Sequence, residues 1–181
     1  DYIGEYTVRS KKGTATLKLD DGDSLVAVIL SSDDDDTVVV ISSTDYYNCY
    51  PLTDIAYTGR ATKGVKAIKL KENECIANAT IIRENTPYMG ILSLTTSGQG
   101  KISPLEEYNE TSRGVKGTQV MNLKEEVLAA VLAIPASKEK VFITSNNKTI
   151  FLPLSAIPIQ GRMTSGVKVI DSKSKNIIME I

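Results

Sequence analysis

The 181-residue chain is 41% hydrophobic and 24% charged, which suits one packed domain or one compact repeat array and excludes a disordered tail. It contains no histidine, so a Ser-His-Asp triad, a Cys-His pair, histidine metal ligation and imidazole acid–base chemistry are all excluded. With 21 basic and 22 acidic residues the net charge is −1, an average that by itself speaks against a nucleic-acid partner.

In chain order, Lys12-Gly13-Thr14 is a turn signal, and Leu25–Leu30 is a strand-like apolar run. Between them, Asp20-Asp21 with Asp23 starts like a calcium loop, but the twelfth position is Ser31 instead of glutamate, so no metal site is expected. The run Asp33–Asp36 reads as a solvated hairpin tip; without it the balance is 21 bases to 18 acids. Thr37–Ile41 is a β-branched strand. Tyr46, Tyr47 and Tyr50 read as sheet-packing residues. Further strands are expected at Ile76–Ile82, Met89–Thr96, Lys140–Thr144 and Ile177–Ile181. Leu123–Ile134 has good helix propensity, yet the same phase of the other repeats is strand-like, and a strand is expected there. Cys49 and Cys75 form no C-x-x-C pair and read as reduced and buried. No apolar run approaches the roughly 20 residues of a spanning helix, and the first residues lack the features of a signal peptide, so a soluble intracellular chain is expected.

Internal repetition organises these elements. Thr62-Lys63-Gly64-Val65-Lys66, Ser112-Arg113-Gly114-Val115-Lys116 and Thr164-Ser165-Gly166-Val167-Lys168 recur about every 50 residues, with Gly13 one period earlier. Pro51-Leu52, Pro104-Leu105 and Pro153-Leu154 recur with a similar period, each proline following a strand residue, Ile41, Leu94 or Ile143. The repeats divide the chain at approximately 13–60, 61–110, 111–162 and 163–181, with an N-terminal segment 1–12 able to complete the last one if the array closes. About four short strands per period predict an all-β, propeller-like array of about four blades. The prolines serve as strand ends, and the motif glycines as positive-φ or tightly packed turns.

The bases follow the repeats. Arg9, Lys11, Lys12 and Lys18; Arg60, Lys63, Lys66, Lys69 and Lys71; Arg113 and Lys116; and Arg162 and Lys168 make thirteen of the 21 bases, and no acid lies within those four stretches. Repeat symmetry places one cluster on each blade, the electrostatic footprint of a surface that tracks phosphates. Such a surface binds backbone, because no segment reads as a major-groove recognition helix.

The absence of Trp and His excludes WD-type repeats, and kelch-type blades also lean on Trp. An apolar strand followed by Pro-Leu-x-x-Ile (Pro51–Ile55, Pro153–Ile157), Gly-Arg (Gly59-Arg60, Gly161-Arg162) and then a Gly-Val-Lys turn resembles the C-terminal domain of the gyrase A-type polypeptide of bacterial type IIA topoisomerases, over essentially the whole chain. The resemblance implies a β-pinwheel, a propeller-like disc with strands exchanged between blades, around whose basic rim duplex DNA bends. The segment Thr111-Ser112-Arg113-Gly114-Val115-Lys116-Gly117 agrees at four of seven positions with the gyrase box Q-R-R-G-G-K-G. DNA gyrase and topoisomerase IV both stay open as the parent.

Together with the resemblance, the charge distribution points to DNA contacts from Arg9, Lys11, Lys12, Arg60, Lys63, Lys66, Lys69, Arg113, Lys116, Arg162 and Lys168. The resemblance implies no cofactor, no catalytic residue within this chain (the DNA-cleaving tyrosine belonging to a separate domain), and partnership with the remaining domains and the B subunit of the parent enzyme. The isolated domain is expected to be a monomer in the bacterial cytoplasm, associated with the nucleoid. The rival from another class is a propeller used as a protein-docking scaffold, which would expose an apolar or aromatic patch in place of a basic rim. A fragment that binds nothing alone is the third alternative.

Overall fold

In the computed structural model the described residues are 4, 12–31, 33–124, 126–146, 148–172 and 177–181. Three antiparallel hairpins, built by the β-branched and apolar runs, carry the architecture. They are β1 (Thr37–Ser42) with β2 (Tyr46–Pro51), β4 (Tyr88–Thr95) with β5 (Gln99–Ser103), and β8 (Lys140–Ser145) with β9 (Lys148–Pro153). Each connection includes a residue with positive φ, namely Asp45 at 70°, Gly98 at 87° and Asn146 at 49°, as tight hairpin turns require. The proline marker has one structural meaning throughout. It ends the second strand or follows it directly, and the next residues form a 3₁₀ turn: Leu52–Asp54, Leu105–Glu107 or Leu154–Ala156. The N–H groups of Ile55, Tyr108 and Ile157 close these turns on the carbonyls of Leu52, Leu105 and Leu154 at 2.9, 2.9 and 3.0 Å.

The sheets are completed by exchange. β3 (Ile76–Ile82) pairs with β1, and β6 (Thr118–Gln119), from beyond the second hairpin, pairs with β2, giving the order β3-β1-β2-β6. The second sheet repeats the plan: β7 (Leu128–Pro135) flanks β4, and β10 (Val167–Lys168), from beyond the third hairpin, flanks β5. β11 (Ile177–Glu180) flanks β8 in a three-stranded third sheet, order β11-β8-β9. The repeat opening at Gly166 therefore contributes β10 to the second sheet and β11 to the third. Leu123–Ile134 is strand from Leu128 onward, so repeat context outweighs local helix propensity.

The sheets stack face to face, and period-2 alternation sorts their side chains. Val39, Ile41, Tyr47 and Cys49 of the first sheet meet Ile91, Val131 and Leu128 of the second. Leu92, Leu94 and Ile102, on the opposite face of the second sheet, meet Val141, Ile143 and Ile177 of the third. Both faces of the middle sheet are thus buried, each large side chain contributing roughly 1.5–3 kcal/mol. A further cluster, Val38, Val40, Tyr50 and Ile68, closes the outer face of the first sheet.

Three sequence expectations change. Leu25–Leu30 is not a strand: Val28 is 78% and Leu30 65% exposed. Its counterparts β3, β7 and β11 each pair with the first strand of the hairpin preceding them, and no hairpin precedes Leu25 among the described residues. The acidic run lies ahead of β1 instead of at a hairpin tip. Asp36 is buried there, taking a hydrogen bond from Ser31 Oγ at 2.5 Å with Arg83 Nη1 4.0 Å away. Both cysteines are free, but only Cys49 is buried; Cys75 is exposed at the edge of β3. The proposed closure by residues 1–12 falls almost wholly outside the described residues.

The motif glycines Gly13, Gly64, Gly114 and Gly166 share one conformation, with φ between 73° and 77°. They differ in surroundings. A Cβ on Gly166 would stand 2.6 Å from the Gly100 carbonyl oxygen, where β10 joins β5, whereas one on Gly64 would meet open space. Gly166→Ala is therefore expected to lose about 3 kcal/mol or more in urea unfolding, and Gly64→Ala only the left-handed backbone cost of roughly 1–2 kcal/mol.

Candidate nucleic-acid interface

Each basic loop is held by its neighbour. Lys18 N–H donates to the Thr62 carbonyl at 3.0 Å and Ala61 N–H to the Thr16 carbonyl at 3.1 Å, joining the Gly13 and Gly64 segments. Lys69 N–H to the Val115 carbonyl at 2.8 Å and Gly114 N–H to the Ala67 carbonyl at 2.9 Å join the Gly64 and Gly114 segments. Asn122 N–H to the Thr164 carbonyl at 3.2 Å continues the series toward Gly166. Four basic segments, far apart in sequence, are thereby chained into one band of backbone.

Buried polar side chains fix this band from beneath. Asn48 in β2 and Lys101 in β5 each lie three residues before the marker proline, and both are fully buried. Asn48 Nδ2 donates to the carbonyls of Ala67, Ser112 and Val115 at 3.2, 3.4 and 3.0 Å. Lys101 Nζ donates to the Gly161 carbonyl at 2.7 Å and to that of Arg162. Burial pushes the Lys101 ammonium down to about 8; Glu107 opposes this and Arg162 adds to it.

The candidate contact residues divide by what they touch. Arg113 Nε donates to the Asp54 carbonyl at 2.9 Å and its Nη1 to the Lys66 carbonyl at 2.6 Å. Arg162 Nε donates to the Glu107 carbonyl at 3.1 Å and its Nη1 to that of Gln119, with the guanidinium 5.7 Å from the Tyr47 ring centroid. Asp54 and Glu107 end equivalent 3₁₀ turns, so both half-buried arginines brace one repeat against the next. Lys168 Nζ donates to the Ser97 carbonyl at 2.9 Å and lies 3.3 Å from Asp171. Lys63 pairs with Asp20 at 2.5 Å. Lys12, Arg60, Lys66, Lys69 and Lys116 are exposed. Arg9 and Lys11 lie outside the described residues. In the Thr111–Gly117 segment, Gly117 is held at φ 83°, where a Cβ would stand 2.1 Å from the Tyr47 carbonyl oxygen, and Thr111 Oγ1 accepts the Cys49 N–H at 3.0 Å.

Sequence reasoning passed over Asn48, Lys101 and Asp45, and it reads Tyr46 only as a packing residue. Superposing the repeats on their prolines would have exposed the first two, since each is a polar residue at the centre of an otherwise packed strand. Tyr46 is only half-buried, with Lys71 and Lys116 against its ring, unlike the fully buried Tyr47 and Tyr50.

Hairpin sheets completed by strands from beyond the next hairpin, with basic glycine turns chained along them, define a β-pinwheel. The family described as "DNA gyrase C-terminal domain, beta-propeller" matches residues 4–32, 50–83, 91–135 and 141–176, and the chain belongs to it. The DNA gyrase A protein of Helicobacter pylori (strain J99) is 32% identical over 170 residues, covering 92% of this chain and 20% of that protein. Its counterpart from Campylobacter jejuni is 33% identical over 132 residues, 71% of this chain and 15% of that protein. The chain thus spans about a fifth of the length of such relatives or less. Among solved structures, a C-terminal domain of DNA topoisomerase IV superposes with TM-score 0.83 at 17% identity, covering 97% of this chain and 56% of that one. A DNA gyrase A C-terminal domain gives 0.75 at 23% identity over 88% of this chain and 54% of that one.

Lys101 supplies a test of how the band is supported. Its ammonium releases a proton more readily folded than unfolded, so the unfolded chain binds more protons between pH 8 and 10.5, and this group adds stability as pH rises through that window. Lys101→Met is expected to cost about 1–3 kcal/mol at neutral pH by leaving two carbonyls without their donor. The difference from wild type should widen between pH 8 and 10 in urea unfolding.

Proposed function

We propose that the chain binds duplex DNA through backbone phosphates, without reading sequence, and bends it along the chained basic segments. The observation that carries this is the hydrogen-bonded series linking the Gly13, Gly64, Gly114 and Gly166 segments, which makes four separate clusters of bases into neighbours. Family membership supports the same assignment. Among the described residues there is no α-helix to enter a major groove, consistent with contacts to phosphate instead of base edges. Bending a site costs several kcal/mol by elastic estimates, which distributed Lys and Arg contacts offset.

Within a longer protein, this domain would present a bent segment to the strand-passage core of a type IIA topoisomerase. The cleaving tyrosine would lie outside this chain and the B subunit would be a partner. The setting would be the bacterial cytoplasm, at the nucleoid, with the isolated domain a monomer. A protein-docking role is favoured by a different observation: the third sheet's outer face exposes Phe142, Phe151 and Ile178 at 44%, 51% and 60%.

Affinity for a duplex of about 40 base pairs across a salt series separates the two, because log affinity falls linearly with log salt in proportion to the phosphates neutralised. A slope indicating several contacts, with Lys66→Glu plus Lys69→Glu weakening binding about tenfold or more at low salt, is the expected result. No binding at low salt would overturn DNA binding and leave the docking surface.

A further inference from the structure

Two separate segments converge on Tyr46, the first residue of β2. Lys71, from the segment ahead of β3, places Nζ 5.4 Å from the ring centroid. Lys116, between the positive-φ glycines Gly114 and Gly117, places its Nζ at 4.3 Å. The face of an aromatic ring attracts each ammonium and offsets the repulsion between them. Neither lysine forms an ion pair among the described residues, unlike Lys63 and Lys168. Two exposed cations are thus gathered at the seam of two repeats, while the nearby Glu74 carboxylate accepts hydrogen bonds from Ser42, Thr44 and the Lys71 backbone N–H.

An anion does lie just below. Asp45, adjacent to Tyr46, is 3% exposed and sits at φ 70°, where the second hairpin has Gly98. Gln119 Nε2 of β6 donates to its carboxylate at 3.4 Å. Lys71 and Glu74 face it from the segment ahead of β3, and Lys116 from the Gly114 turn. Lys124 and Glu126, ahead of β7, line the same polar cleft of about 420 Å³. Burial is the largest influence on Asp45 and raises its carboxyl to about 6; Gln119 opposes this, Glu74 adds to it, and the two lysines oppose it.

We propose that Lys71 and Lys116, spaced by the Tyr46 ring, form a binding site for one DNA backbone phosphate, and that Asp45 is the internal anion with which that phosphate competes. This rests on the DNA-binding function proposed above and assigns it a particular contact. A phosphate held by the two ammonium groups disfavours the nearby carboxylate, so Asp45 takes up a proton on binding, and affinity rises as pH falls through about 6. Tyr46 is a positioning residue: it acts through the lysines.

The test measures duplex affinity and salt slope for the 181-residue chain and its variants, with urea unfolding confirming that each is folded. Lys71→Gln with Lys116→Gln should lower the slope by about 1 and weaken low-salt binding roughly tenfold. Tyr46→Leu should weaken binding severalfold, with Tyr46→Phe restoring it. Asp45→Asn should tighten binding at pH 7.5, with little change at pH 5, flattening the pH profile. Lys138→Gln, in the turn between β7 and β8, should change nothing. A second arm titrates inorganic phosphate and follows the amide and ring signals of Tyr46, Lys71 and Lys116 by NMR. DNA binding with an unchanged slope in the double variant would overturn this site and leave the general function standing. Phosphate shifts at these residues without DNA binding would overturn the DNA-binding function and, with it, the assignment of this anion site to a DNA phosphate; neither signal would overturn both function and site.

Discussion

Strand exchange is the constraint on which the rest depends. β6 and β10 are only two residues long, yet each closes the edge of a sheet whose hairpin lies well behind it in the chain. So short a pairing holds only where the backbones approach closely, which is why Gly117 lies against the Tyr47 carbonyl and Gly166 against that of Gly100. Once these contacts are made, the loop ahead of each exchanged strand has one place to go. It settles over the earlier hairpin whose sheet that strand completes, within reach of Asn48 or Lys101.

Cations in this arrangement have two different duties. Arg113 and Arg162 use the fixed fork of the guanidinium to hold several backbone groups at once, a task that the single ammonium of a lysine fits less well. Lys66, Lys69 and Lys116 stand outside and carry charge toward solvent. Arginine in a motif loop is therefore no simple count of outward charge. The bracing arginines and the buried Lys101 give the band a defined shape, and the exposed lysines give it a potential.

Much of the architecture was legible because the repeat spacing carried it. Positive-φ glycines, strand-ending prolines and the strand at Leu128–Pro135 all follow from comparing one period with the next. Leu25–Leu30 departs from the repeat pattern for the same reason: periodicity reports the capacity to pair, and pairing also needs a partner hairpin. Asp36 and Cys75 show the limit of composition, since neighbours distant in sequence decide which member of an acidic run or a cysteine pair is buried. At the site, the positions of the basic loops were readable but their bonding was not. No pattern in the chain distinguishes an arginine that grips carbonyls from one facing solvent.

The exchange also sets an order of assembly. Each hairpin can form as soon as its two strands exist, because its contacts are local. The first sheet, however, needs Gln119 to meet Tyr46, and the second needs Lys168 to meet Gln99. A chain emerging from the ribosome therefore keeps the edge of its newest sheet open until the segment beyond the following hairpin has been made. During that interval the edge offers free backbone donors and acceptors to any other extended segment, its own or a neighbour's. Synthesis and folding must proceed in step, one unclosed edge at a time.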